Sequence, residues 1–136
     1  MPQLSSAFVA DRDLLEELER RSQPIALGED RVLFRQGDAP TGVYIVRRGS
    51  ALLTSGSNGE TVLSVEAGIG SLLGVPAVIA SKTYSLTAEA LEGAELSVMS
   101  REDFVDLMQT EPHFAFEVLK VLAAEVRFAR ETLSHI

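Results

Sequence analysis

Between Ile25 and Met99 the chain is broken by turn residues every few positions, and this punctuation constrains the fold more than any other feature. Short β-rich runs occupy Pro24–Leu27, Arg31–Arg35, Gly42–Arg48, Ala51–Ser55, Thr61–Val65, Tyr84–Ala90 and Ala94–Ser100. Between them stand Gly28-Glu29-Asp30, Gly37-Asp38-Ala39-Pro40, Arg48-Gly49-Ser50, Gly56-Ser57-Asn58-Gly59 and Glu92-Gly93. Asn-Gly tolerates the positive φ angles of a tight hairpin, so Asn58-Gly59 predicts one. Regular short strands with such turns build sandwiches and jelly-roll-like barrels.

The two ends of the chain switch to a helical period. Leu14, Leu15 and Leu18 share one face of a predicted helix over Asp11–Arg21, with Asp11 or Asp13 as its cap and Ser22-Gln23-Pro24 as its stop. Ser100-Arg101-Glu102-Asp103 reads as a capping box, and a short helix carrying Phe104, Val105, Leu107 and Met108 runs to Glu111-Pro112. Pro112 suits the first turn of a final helix ending at Leu133, which is about 30 Å long at the usual rise per residue. In that helix Ala115, Leu119, Leu122, Val126, Ala129 and Leu133 alternate in steps of 4 and 3, a coiled-coil seam. A second apolar face carries Phe114, Val118, Val121 and Phe128. One face is expected to pack on the β region and the other to meet a twin helix in a homodimer. The 136 residues therefore form one domain, 1–136, with a β-roll at about 24–100 and a dimerisation helix at about 112–133.

Composition removes several functions. A formal net charge of −8, with Arg20-Arg21 and Arg47-Arg48 as the only local basic clusters, opposes direct nucleic-acid binding, which needs a concentrated positive surface. With no cysteine there is no disulfide, thiolate metal site, cysteine-ligated cluster or thiol nucleophile. The two histidines, His113 and His135, lie in or beside the final helix, so a cupin-like metal centre inside the β-roll is not expected. Gly68-Ile69-Gly70-Ser71 is not a nucleophile elbow, so the chain is not expected to be an enzyme. No apolar run approaches the length that spans a bilayer, and Met1–Asp11 has no signal-peptide character. The expectation is a cytoplasmic protein with no membrane contact.

One segment, Gly37-Asp38-Ala39-Pro40-Thr41-Gly42-Val43-Tyr44-Ile45-Val46-Arg47-Arg48-Gly49, resembles the glycine–acid–turn–Tyr-Ile-Val–glycine signature of the cyclic nucleotide-binding domain of catabolite-activator and FNR-type regulators. Gly37 and Gly49 stand where the chain turns tightly, and glycine takes positive φ freely. A second stretch, Ala90–Phe104, looks like that family's last strand pair leading into its following helix. The resemblance implies a mainly β fold with flanking helices: a double-stranded β-helix, or jelly-roll-like β-roll, with an N-terminal helix, a short cassette helix and a long C-terminal helix.

In the family, a phosphate-binding cassette carries a Phe-Gly-Glu start and an Arg-Ser/Thr-Ala end. By that resemblance the arginine neutralises a cyclic phosphate and the glutamate accepts from a ribose hydroxyl. Here Gly74 matches the cassette glycine, Val75 stands in the glutamate's place, Tyr84 in the arginine's and Ser85 at the Ser/Thr. Both charged ligand groups are missing, and losing one charged hydrogen bond of about 1.5–3 kcal/mol weakens binding roughly 10- to 100-fold. The divergent cassette candidates are Gly74, Val75, Ala77, Tyr84, Ser85 and Thr87, with Lys82 as a substitute phosphate partner if its stem reaches the pocket. Glu89 shares a strand face with Thr87 and is a further candidate for the pocket wall. Three readings stay open: cyclic AMP or cyclic GMP held weakly through backbone amides, Ser85 and Thr87; a less anionic ligand meeting Tyr84; or a filled relic. The first two make the chain a non-catalytic ligand sensor, and the last makes it a dimerisation or scaffold module. Family activators continue into a DNA-binding domain, so a free-standing sensor is expected, or one acting on a separate effector protein.

Overall fold

A computed structural model describes the backbone of residues 3–5 and 8–133 and the side chains of residues 8–127. The elements in chain order are β1 (Gln3–Ser5), α1 (Arg12–Arg21), β2 (Gln23–Pro24), β3 (Val32–Phe34), β4 (Gly42–Arg48), β5 (Ala51–Ser57), β6 (Glu60–Ala67), β7 (Leu72–Leu73), α2 (Val75–Ala80), β8 (Thr87–Ala90), β9 (Glu95–Ser100), α3 (Arg101–Thr110) and α4 (Pro112–Leu133). One sheet runs β1-β6-β5-β8-β3 and the other β2-β9-β4-β7. Pairing is antiparallel except for β1 on β6. Mainly β structure with flanking helices, including a long C-terminal one, is what the sequence implied.

Strand alternation sorts the side chains into two cores. Val46 on β4 and Leu96 on β9 face the other sheet, where they join Phe34, Leu53, Val65 and Ala88. Val43, Ile45 and Met99 point the opposite way and are covered by helices, through Leu14 and Leu18 of α1, Phe104 and Leu107 of α3, and Val118 and Val121 of α4. The layers are sheet, sheet and helices, with β4 and β9 serving both cores.

Local signals explain the element boundaries. Asn58 (φ 55°) and Gly59 (φ 82°) close the β5–β6 hairpin, pairing Ser57 with Glu60. Gly37 and Gly49 both have positive φ, at 94° and 74°. The Ser100 hydroxyl accepts from the Asp103 N–H at 3.1 Å and so caps α3. Asp11 occupies the cap position of α1 without a side-chain cap bond.

Four elements differ from the expectation. The predicted strand from Tyr84 becomes β8 only at Thr87, because the Tyr84 main chain bonds instead to the Gly37–Asp38 turn: Gly37 N–H donates to its carbonyl at 2.8 Å, and its own N–H donates to the Asp38 carbonyl at 2.9 Å. β7 and β1 were not expected, being too short to carry an alternating pattern. The predicted strand Pro24–Leu27 shrinks to Gln23–Pro24, although the Ile25 N–H still bonds to the Leu96 carbonyl.

Candidate functional site

The cassette is built where β7 leaves the sheet. Leu72 and Leu73 pair with Ile45 and Tyr44 of β4, which brings Gly74 beside the start of that strand. Gly74 turns left-handed (φ 91°) and caps α2, a helix of six residues with Pro76 in its first turn. Ser81, also left-handed, ends it. Val75 and Val78 point into the helix-side core, whereas Ala77 faces the space between the sheets.

Tyr84 fills the place that the resemblance gives to an arginine. Its side chain is 2% exposed, and its ring stacks on Phe34 with centroids 3.8 Å apart and planes 17° from parallel. The hydroxyl accepts from the N–H groups of Thr41 (3.0 Å) and Gly42 (3.2 Å) and donates to the Gly42 carbonyl (2.9 Å). One donated and two accepted bonds exhaust a phenol's capacity, so nothing remains for a ligand. Tyr84 thus staples the signature turn at both ends, by main chain at Gly37–Asp38 and by side chain at Thr41–Gly42. Gly74 makes room for it: a Cβ there would lie 2.8 Å from the Tyr84 ring.

What remains is a narrow cavity of about 40 Å³. Phe8, Phe34, Leu53, Leu73, Ala77 and Tyr84 line its buried depth, and the exposed Pro76 and Ser85 mark its mouth together with half-buried Glu125 of α4. An apolar cavity of about 150 Å³ is what admits a benzene ring, so this one takes only a few heavy atoms as it stands. Burial raises the Glu125 carboxyl to about 8.

Of the residues singled out from sequence, Gly74, Ala77, Tyr84 and Ser85 line the cavity. Val75 packs with the helix-side core. The Thr87 hydroxyl accepts from the Gln36 N–H at 2.9 Å on β8, and neither Thr87, exposed Lys82 nor exposed Glu89 lines the cavity. Glu125 was not singled out. Its signal was a gap: the apolar face Phe114, Val118, Val121 and Phe128 skips the position where that stripe continues.

On α4, Val118 and Val121 are buried in the helix-side core, and Phe114 and Leu122 pack partly against it. The apolar line left exposed is Phe116 (59%), Leu119 (56%), Ala123 and Val126 (58%), again in 3-4-3 steps. Of the residues expected to form a seam, Leu119 and Val126 are exposed, Ala115 is half-buried and Leu122 turns partly inward. The side chains of Phe128, Ala129 and Leu133 lie outside the described residues, as does His135. Among the described residues no helix is long and apolar enough to cross a membrane, and no group of three or more His, Cys, Asp and Glu could hold a metal ion.

Comparison with known proteins agrees with this architecture. The chain is 28% identical over 126 residues to the transcriptional activator protein anr of Pseudomonas aeruginosa, an alignment covering 90% of this chain and 49% of that protein. It is 27% identical over 115 residues to the lysophospholipase nte1 of Neurospora crassa, covering 84% of this chain but 8% of that enzyme. The chain thus spans about half the length of the first relative and a small part of the second. Among solved structures, the Thermus thermophilus catabolite activator protein superposes with a TM-score of 0.74 at 25% identity, covering 96% of this chain and 62% of that one. The family model for the cyclic nucleotide-binding domain matches residues 24–111, which run from β2 to the end of α3. The β-roll, its glycine-marked turns and its short cassette helix make this chain a member of the cyclic nucleotide-binding domain family.

Proposed function

We propose that the chain is a non-catalytic regulatory domain whose cassette, rebuilt around Tyr84, no longer clamps a cyclic nucleotide phosphate and leaves a reduced cavity for a smaller, less anionic ligand. One observation carries this reading. The group standing in the arginine's place is a buried phenol with every hydrogen-bonding position already used. A phosphate entering here meets no cation among the described lining residues and has a carboxyl at the mouth. An unpaired buried charge is costly, so the missing arginine is not offset by backbone amides alone. Calorimetric titration of the purified protein with cyclic AMP and cyclic GMP tests the proposal. Flat heats to high micromolar concentration are expected, and saturable binding at low micromolar concentration contradicts it.

The signal is proposed to leave through α4. Its inner stripe touches the cavity at Glu125, and its outer line of Phe116, Leu119, Ala123 and Val126 fits a second copy of the chain in a homodimer. The smallness of the cavity favours a second reading, a scaffold module with a vestigial pocket. Under that reading no small molecule shifts the protein's melting temperature. Under the sensor reading an apolar probe that enters the cavity raises it.

A further inference from the structure

The cavity that Tyr84 leaves open has a chemistry opposite to that of an anion site. Three aromatic side chains, Phe8, Phe34 and Tyr84, form its depth, and among the described residues no basic side chain lines it. Among the described residues, Glu125 is the only charged residue lining it, and the phenol of Tyr84 is the only other titratable one. Neither the β3, β5 and β7 residues, nor those of α2, nor the 84–86 segment brings another charge to it.

The position of Glu125 on its helix is as telling as its surroundings. Phe114, Val118 and Val121 pack against the core on the inner stripe of α4, and the next step of that stripe is an acid, placed where the helix passes over the cavity mouth. Among the described residues no hydrogen bond or ion pair holds its carboxyl. Removal from water without a compensating cation raises its pKa to about 8. A carboxyl at the mouth of an apolar cavity suits an organic ammonium ion: an ion pair for the charge and apolar walls for the carbon chain.

We infer that this cavity is the binding site for a small primary amine, its hydrocarbon body among Phe8, Phe34 and Leu53 and its ammonium against Glu125. The inference rests on the reading that no cyclic nucleotide occupies the cassette. At roughly 10–15 Å³ per small heavy group, about 40 Å³ holds a chain of about three carbons, with the nitrogen at the mouth. Because the ion pair needs the carboxylate, affinity rises as pH increases from 6 through 8, while an alkyl ammonium stays protonated like a lysine.

n-Propylamine, 1-propanol and propionate share one carbon skeleton and differ in charge. Each is titrated by calorimetry against the full chain and against Glu125→Gln at pH 6 and pH 8, with cyclic AMP as a fourth titrant. The expected result is that propylamine binds at least about tenfold tighter than propanol, that propionate does not bind, and that the preference strengthens at pH 8 and disappears in Glu125→Gln. Equal binding of propylamine and propanol, unchanged by Glu125→Gln, overturns the amine inference and leaves the reduced-cavity reading standing. Binding of none of the three also overturns it. Saturable cyclic AMP binding overturns the reading beneath it instead. A thermal melt of Glu125→Gln without titrant confirms that the variant is folded.

Discussion

Tyr84 joins three parts of the molecule through one side chain: the signature turn, the Phe34 ring and the glycine that opens the cassette. Replacing it with phenylalanine keeps the stack but leaves the N–H groups of Thr41 and Gly42 without the phenol oxygen. Unsatisfied buried donors cost about 1–3 kcal/mol, so Tyr84→Phe is expected to lower the denaturant midpoint by a corresponding amount without changing the slope. Glu125 makes a prediction of a different kind. Its folded pKa, about 8, lies above the usual 4.5, so the folded state binds the extra proton between those values. The stability this group contributes is fully present below about 4.5 and is lost as pH rises through about 8. Melting temperatures of the wild type should therefore fall across that window, and those of Glu125→Gln should fall less. At this scale sequence reasoning reached Gly74, Tyr84 and Ser85 because a motif indexed them. It missed Glu125, which only the three-dimensional crossing of α4 over the cavity marks out, and it could not foresee that Val75 turns into the other core.

Among the elements, α4 shows how far periodicity reaches. The heptad spacing was legible, as was the division into two apolar faces, but their angular boundary was not. Leu122 lies partly against the helix-side core, which shifts the exposed line to Phe116, Leu119, Ala123 and Val126. If this line is the dimer seam, Leu119→Glu places like charges on it and converts a dimer to a monomer in sedimentation equilibrium, with the monomer's β-sheet circular dichroism retained. An unchanged mass, or a wild type that is already monomeric, contradicts the seam. The β elements divide in the same way. Hairpin β5–β6 was readable because Asn58-Gly59 fixes its turn, and the cap of α3 because Ser100 sits three residues before Asp103. The two-residue strand β7 was not, since Leu72-Leu73 carries no alternation and exists only through its pairing with β4.

Across the whole molecule, two cores share β4 and β9, so the cassette, the signature turn and α4 all rest on the same pair of strands. Glu125 lines the cavity mouth, and under the proposed function α4 would carry a change there to the exposed apolar line one helix face away. The fold class was legible from the turn punctuation and the flanking helical periods, because both are local patterns. The character of the cavity was not, because it arises from residues as distant in sequence as Phe8, Phe34, Tyr84 and Glu125. The central claim is that Tyr84 has closed the phosphate cassette. Backbone amide NMR shifts of Gly74 and Ser85, followed while cyclic AMP is added to the labelled protein, test it most directly. The account predicts no saturable movement up to millimolar nucleotide, and saturable shifts of those amides in the micromolar range would contradict it.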